Sequence, residues 1–227
     1  VATNIYSGIS KFLLLAIPFF VLSGNIMAKA GISTRLIRFV DTCVGHRKGG
    51  IANVCIIVAC FFGAISGSGP ATVAALGAVL IPAMIERGGF SAAFSTALMA
   101  TSSSIAIVIP PSIAFVVYAS ITGVSIGDMF MAGIIPGILM GLALVVVVML
   151  EVRRNHVVPS NVEKASAKER WNAFKDAFWG FLMPVIILGG IYGGIFTPTE
   201  AAAVSVVYGL FVGMIIYKEV KFKDLWE

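Results

Sequence analysis

The most restrictive feature of this sequence is a long segment that is almost free of charge. Residues 51–127 contain only two charged side chains, Glu86 and Arg87, and no histidine. Over the whole chain, 59% of the residues are hydrophobic and 12% are charged, with a mean hydropathy of +0.99. These values are far from those of a soluble domain. The composition therefore predicts a membrane protein. Because backbone groups in lipid must bond within their own segment, we expect an all-α polytopic membrane protein.

The basic residues predict topology rather than binding to nucleic acid. The formal net charge is +5, but no nucleic-acid motif is present and the positive charges form short clusters beside apolar runs. By the positive-inside rule, the cluster after the first apolar run faces the cytoplasm. Its members are Lys29, Arg35, Arg38, Arg47 and Lys48.

A polar, glycine-rich interruption at residues 66–70 separates two short apolar arms, residues 51–65 and 71–85. Each arm reaches roughly 22–24 Å as a helix, less than the ~30 Å of a hydrocarbon core. Both arms end in charged residues that suit the same cytoplasmic face. We therefore predict a re-entrant helical hairpin over residues 50–86. Two short tilted spans with a tight outer turn are the alternative.

A second interruption divides the apolar segment 90–126. It contains the polar run Thr101 to Ser104 and then Pro110, Pro111 and Ser112. Two prolines remove two backbone donors and push the preceding residues out of the helical region. We predict a discontinuous helix here, which with the hairpin makes residues 50–127 the candidate transport region. A proline kink with serines bonded back to carbonyls is the alternative.

The remaining segments predict a scaffold around this region. Residues 1–49 form a first span (12–28) and an amphipathic interfacial helix (32–44), and residues 128–150 form another span. Residues 151–180 form a cytoplasmic linker with an amphipathic helix at 166–178, and residues 181–227 contain two further spans, 181–196 and 199–217. The chain starts without Met and ends directly after a span, so we expect residues to be missing at both ends.

The segment Thr197-Pro198-Thr199-Glu200 predicts a structural helix start. Thr197 is the expected N-cap, and Glu200 stands at the position from which a carboxylate reaches back to the cap. The alternative is a functional carboxylate, since acidic residues within spans are site candidates.

The two interruptions offer neutral oxygens that suit a hard monovalent cation such as Na⁺. Proton relay is disfavoured because neither interruption contains an ionisable side chain, unless Glu200 or a missing part of the chain provides it. No cofactor is expected, and Na⁺ would be the coupling ion and the only metal. The candidate cation residues are Ser66, Gly67, Ser68, Thr101, Ser102, Ser103 and Ser104.

Helix starts after each interruption would favour a carboxylate through their free N–H groups. An intramembrane serine hydrolase using Ser66 or Ser68 is disfavoured because it lacks a nearby base and a Gly-x-Ser-x-Gly pattern. A purely structural membrane anchor would not need two such interruptions. The candidate substrate residues are Ser68, Gly69, Thr72, Pro111 and Ser112.

Three motifs resemble a known family. They are GAISGSGPATVAALG at 63–77, IPPS at 109–112 and GIFTPTEAAA at 194–203. Together they are similar to the large membrane subunit of tripartite ATP-independent periplasmic (TRAP) transporters. The resemblance implies Na⁺-driven import of organic acids, such as C4-dicarboxylates or sialic acid, across the lipid of a bacterial inner membrane. It also implies a periplasmic substrate-binding protein, a small membrane (Q) subunit and an elevator motion.

By position, residues 66–70 match the family's first re-entrant hairpin and residues 101–112 its first broken helix. Residues 181–227 match the start of the family's second repeat, with the motif at residues 197–200 at the start of a helix. Family members are about twice as long because they contain two inverted repeats. The resemblance thus implies that this chain is the first half of an inverted-repeat, elevator-type transporter and could not transport alone. A related anion/cation symporter that works without a binding protein is the alternative.

Overall fold

The computed structural model describes residues 12–154 and 164–221. This part of the chain contains nine α-helices and no strand. A 3-10 turn at Phe12–Leu15 precedes the first helix, and a π-helical turn at Val212–Ile216 continues the last. The helices are α1 Ala16–Lys29, α2 Ile32–Val44, α3 Gly50–Ser66, α4 Gly69–Glu86, α5 Ala92–Val108, α6 Ile113–Thr122, α7 Ile126–Arg154, α8 Ala167–Tyr192 and α9 Pro198–Phe211.

The predicted all-α membrane class is confirmed. Within the described ranges, five helical segments are long and apolar enough to cross a membrane: Phe12–Lys29, Gly69–Glu86, Ile126–Arg154, Ala167–Tyr192 and Pro198–Ile216. The pair α5 and α6 would add a sixth span that bends by 41° at its break. Helix α3 is apolar but one residue shorter than the shortest of these segments.

The helices pack as two groups. Helices α3, α4, α5 and α7 pack mainly against one another, and together with α6, which contacts α5 and α7, they form what we call the hairpin bundle. Helices α1, α2, α8 and α9 form the flanking bundle, in which α1 lies along α9 and α2 lies along α8. The two groups meet mainly where α3 contacts α2 and α1, and where α6 contacts α1. The broken helix is thus held between α7 and the flanking bundle.

Small residues allow the hairpin bundle to pack closely. A Cβ on Gly63 of α3 would lie 2.6 Å from the Cβ of Ala106 on α5. On α7, a Cβ on Gly133 would collide with the Val108 carbonyl, and one on Gly137 would collide with Ile109. Such contacts bring helix backbones together where no water drives association. They position the break of α5 and α6 against α7.

Helix α2 is amphipathic, as predicted. Its apolar residues Ile32, Leu36 and Val40 recur every four residues and are buried, while Arg35 and Arg38 lie on other faces. The Arg35 guanidinium donates to the carbonyls of Ala30 and Gly31, each at 3.1 Å, and to the Glu219 carboxylate at 2.5 Å. It also lies 3.9 Å from the centroid of the Tyr217 ring. One side chain therefore joins the end of α1, α2 and the segment after α9.

The predicted linker differs from the structure in one respect. The surface helix at 166–178 and the span at 181–196 are one continuous helix, α8, which begins with a capping box formed by Ser166 and Glu169. Gly180 lies inside this helix without breaking it. A Cβ at Gly180 would lie 2.8 Å from Ile32 of α2. That glycine permits packing rather than a turn. The predicted linker residues 155–163 lie outside the described residues.

We expect Arg35→Ala to lower the melting temperature of the full-length permease clearly more than Arg38→Ala. Losing the charged hydrogen bonds of Arg35, whose side chain is 24% exposed, should cost about 2 kcal/mol. Arg38 lies 3.7 Å from Asp176 in a pair whose side chains are 70% and 53% exposed, and such pairs contribute about 0–1 kcal/mol. Thermal unfolding in detergent measures both. Equal melting temperatures would contradict the structural role of Arg35.

Candidate functional site

The turn between α3 and α4 is two residues long and depends on glycine. Gly67 has a φ of +62°, a left-handed conformation that glycine adopts at little cost. A Cβ at this position would also lie 2.7 Å from the carbonyl oxygen of Pro111. Ser68 then caps α4, its hydroxyl accepting from the Ala71 N–H at 3.4 Å. We call residues 66–69 the hairpin tip.

The break between α5 and α6 spans residues 109–112, at the predicted prolines. The peptide bond between Pro110 and Pro111 is cis. Ser112 caps α6 by accepting from the Phe115 N–H at 3.3 Å, and its own hydroxyl donates to the Ile107 carbonyl at 2.5 Å. One fully buried serine thus bonds to both halves of the broken helix.

The hairpin tip docks directly on this break. The Gly67 carbonyl accepts from the Ile113 N–H at 3.3 Å. A Cβ on Gly69 would lie 3.1 Å from the Ser103 carbonyl oxygen, so the tip also follows the last turns of α5. The structure therefore brings together two segments that the sequence separates by about forty residues.

Three neutral oxygens converge at the tip. The Thr72 hydroxyl donates to the Ser68 carbonyl at 2.8 Å and lies 3.2 Å from the Ser66 hydroxyl, which lies 3.4 Å from the same carbonyl. Ser66 and Thr72 are buried, with 1% and 0% of their surface exposed. We call this set the oxygen triangle. Neutral oxygens at such spacing are the ligand type that a hard cation prefers.

The polar run of α5 is placed differently from the tip residues. It lies inside a continuous helix, and the hydroxyls of Thr101, Ser103 and Ser104 donate back to carbonyls one turn earlier, those of Ala97 and Ala100. These are the serine and threonine back-bonds that bend membrane helices. Only the Ser103 carbonyl lies beside the tip. Among the described residues, these three hydroxyls bond to Ala97 and Ala100 and not to a member of the triangle.

Ser102 has a different environment. Its hydroxyl is fully buried beside the thiol of Cys55, and it has no hydrogen-bond partner of ordinary geometry. It faces α3 rather than the tip, so it contributes to the packing of α5 against α3.

The helix starts are partly satisfied by the protein itself. At α6, the N–H of Ile113 donates to Gly67 and that of Phe115 to Ser112. At α4, the N–H of Ala71 donates to the Ser68 hydroxyl, and Pro70 has no N–H to donate. The expectation of several free donors at each start is met only in part, because capping serines occupy some of them.

The predicted capping box at α9 is present. The Glu200 carboxylate accepts from the Thr197 N–H and hydroxyl, both at 2.8 Å, and the Glu200 N–H donates to the Thr197 hydroxyl at 3.3 Å. The structural interpretation of Thr197 and Glu200 accounts for these bonds.

The depth of the site can be read along the 29-residue helix α7. Near its C-terminal end, Val148 and Val152 lie against Gly49, where α3 begins, and farther back Gly137 lies against Ile109 at the break. Gly137 lies eleven positions before Val148 and eleven positions after Ile126. Each of these two helix segments is about 17 Å long at 1.5 Å per residue. The break therefore lies near the middle of α7.

The first arm of the hairpin begins at the level at which the second arm ends. A Cβ on Gly88, just after α4, would lie 2.6 Å from Ile51 at the start of α3. Arg87 also forms an ion pair of 3.0 Å with Asp41 on α2. The tip is thus the far end of a helical hairpin whose arms meet at one level.

Sequence reasoning missed Gly24 on α1. A Cβ there would lie 2.9 Å from the Cβ and 3.0 Å from the Cα of Ser66, so α1 touches the tip directly. A glycine within a span signals close packing, but nothing in the sequence names its partner.

Comparison with known proteins agrees with these features. A family model described as "Tripartite ATP-independent periplasmic transporter, DctM component" matches residues 1–227. The C4-dicarboxylate TRAP transporter large permease protein DctM of Pseudomonas aeruginosa is 44% identical over 223 residues, which cover 98% of this chain and 52% of that protein. The protein of the same name from Rhodobacter capsulatus is 40% identical over 239 residues, covering 99% and 54%.

A further relative is the isethionate TRAP transporter permease protein DctMQ of Oleidesulfovibrio alaskensis, 44% identical over 227 residues, which cover 100% of this chain and 35% of that protein. The chain spans about half the length of the DctM relatives it matches. These relatives are named as permeases and not as enzymes. The chain therefore belongs to the DctM family of TRAP transporter large permeases, multi-pass proteins of the bacterial inner membrane.

Proposed function

We propose that this chain forms the first half of a permease that imports small organic acids together with Na⁺. The observation that carries the proposal is the hairpin tip docked on a broken helix, with three neutral oxygens at the contact. The relatives are named for C4-dicarboxylates and isethionate, which supports an organic anion as substrate. A sialic-acid-type substrate would carry the same carboxylate.

The oxygen triangle supports Na⁺ as the coupling ion. Its members Ser66, Ser68 and Thr72 contribute two hydroxyls and one carbonyl, none of which can carry a proton between pH 5 and 9. Residues 51–85 and 88–127 contain no Asp, Glu, His, Lys or Arg. Further carbonyls at the end of α5, together with the second half of the permease, would complete the coordination shell.

The starts of α4 and α6 support carboxylate binding. Both helices begin beside the tip, at Gly69 and Ile113, and a helix N-terminus attracts an anion without a buried arginine. Ser68 and Ser112, which cap these two starts, would then hold the substrate there. Gly69, Thr72 and Pro111 would line the same space.

The position of the tip supports a re-entrant hairpin. The break against which it docks lies near the middle of α7, and Gly24, which it contacts, lies five residues before the end of the 18-residue segment Phe12–Lys29. An outer turn between two complete spans would instead lie at the level of Phe12. The arms end together beside basic residues that favour the cytoplasm.

The two packing groups support an elevator motion. The hairpin bundle would move as a unit along the flanking bundle, to which the chain connects it twice, at residues 45–49 and between α7 and α8. We further propose that a periplasmic binding protein delivers the substrate and that a small membrane subunit flanks the permease, as the name DctMQ of one relative suggests.

Uptake in proteoliposomes tests the proposal. The full-length permease, with its small subunit and binding protein, should take up a C4-dicarboxylate under an inward Na⁺ gradient and not under a pH gradient alone. Uptake driven by a pH gradient without Na⁺ would overturn Na⁺ coupling. Full uptake without the binding protein would favour the alternative, a symporter that works without one.

Replacing one hydroxyl tests the triangle. Thr72→Val keeps the shape of the side chain and removes a cation ligand, so the half-saturating Na⁺ concentration should rise about tenfold, equivalent to about 1.4 kcal/mol. Thr72→Ser should restore it. Thr101→Val is the matched control, because Thr101 is exposed and its hydroxyl bonds to Ala97 rather than to a tip residue, and it should leave the Na⁺ dependence unchanged. An equal effect of both valine variants would contradict the triangle.

Cysteine labelling tests the hairpin. Pro70→Cys, at an exposed position beside the tip, should react with a membrane-impermeant maleimide from the cytoplasmic side in one state and from the periplasmic side in another. Lys48→Cys and Ile195→Cys are cytoplasmic and periplasmic controls. Labelling of Pro70→Cys from the periplasm alone in every condition would support two ordinary spans.

A further inference from the structure

We infer that Gly24 of α1 is a positioning residue for the cation site, so that cation affinity depends on where the hairpin tip stands along α1. This inference rests on the proposed function and adds a residue that lies outside both interruptions. The contact itself is direct. No room for a methyl group exists between Gly24 and Ser66, because a Cβ would lie 2.9 Å from the Ser66 Cβ and 3.0 Å from its Cα.

Ser66 belongs to the oxygen triangle. Its hydroxyl lies 3.2 Å from that of Thr72, and the residue is only 1% exposed. Helix α1 therefore covers the very residue that brings a hydroxyl to the cation. Contact with α1 holds the Ser66 backbone in place. Preorganised ligand atoms bind a cation more tightly than mobile ones.

The contact crosses the boundary between the two packing groups. Gly24 belongs to the flanking bundle, where neighbouring Ile26 and Met27 pack on Gly209 of α9 with separations of 3.4–3.6 Å from a Cβ there. Ser66 belongs to the hairpin bundle. Any displacement of one bundle along the other must separate Gly24 from Ser66. The packing of α1 against α9 need not change during that step.

Coupling follows from this geometry. If the tip binds the cation more tightly while it rests on Gly24, then the cation must by linkage hold the tip on Gly24 to the same extent. Removing the cation would release the hairpin bundle from this position. Gly24 thereby connects occupancy of the site to the relative position of the bundles.

Gly24→Ala tests the inference in the full-length permease with its small subunit and binding protein. Initial uptake rates at varied Na⁺ should give a half-saturating Na⁺ concentration raised by roughly fivefold or more, the lower end of coupling between linked sites. The maximal rate at saturating Na⁺ should fall less than this. Gly209→Ala, which meets α1 without collision, is the matched control and should match the wild type.

The outcomes separate the two proposals. Na⁺-dependent wild-type uptake with an unchanged half-saturating concentration in Gly24→Ala would overturn the role of Gly24 alone. Wild-type uptake that does not respond to Na⁺ would overturn the proposed function and this inference together. A lower maximal rate with unchanged Na⁺ dependence would reveal a merely structural role and would also overturn it.

A second measurement leaves Gly24 intact. Spin labels at Leu22 on α1 and Val79 on α4, which are 44% and 47% exposed, report the separation of the two bundles. Adding Na⁺ should narrow their distance distribution, because the bound cation holds the tip on α1. A distribution that does not respond to Na⁺ would overturn the inference even if Gly24→Ala failed to fold.

Discussion

The hydrogen bond between the Gly67 carbonyl and the Ile113 N–H is the contact on which the rest of this site depends. An interrupted helix inside a membrane leaves polar backbone groups that water cannot reach, and each costs several kcal/mol if it stays unpaired. The described residues contain two such interruptions. Their capping serines satisfy part of each break locally, and this bond pairs a carbonyl of one break with an N–H of the other. Docking therefore stabilises both breaks in lipid.

Docking strictly limits the size of the side chains at the contact between the hairpin tip and the break. Gly67 must be glycine because of its positive φ and because the Pro111 carbonyl occupies the place of a Cβ. Gly63 brings α3 against α5 one turn before the tip, so the approach begins before the polar residues meet. Close packing of this kind leaves few stable arrangements, and a packed contact changes by discrete steps rather than by gradual deformation.

Much of this arrangement could be predicted from the sequence. The hairpin arms, the proline break and the Thr197–Glu200 cap follow from local rules that act over a few residues. The orientation of the polar run at residues 101–104 could not be predicted from such rules, because the helix continues through the run and a hydroxyl in it can bond to its own helix. The continuity of α8 past Gly180 and the contact of Gly24 with Ser66 also escaped prediction. Both depend on a partner helix distant in the sequence.

The same two breaks place opposite helix ends side by side, and this arrangement explains why cation and anion would bind together. The C-terminal ends of α3 and α5, at Ser66 and Val108, favour a cation, whereas the starts of α4 and α6 favour an anion. Each ion alone faces one unfavourable helix end as well as one favourable end. If both ions bind as proposed, they would also attract each other across this site, and that attraction would couple their binding without a titratable side chain.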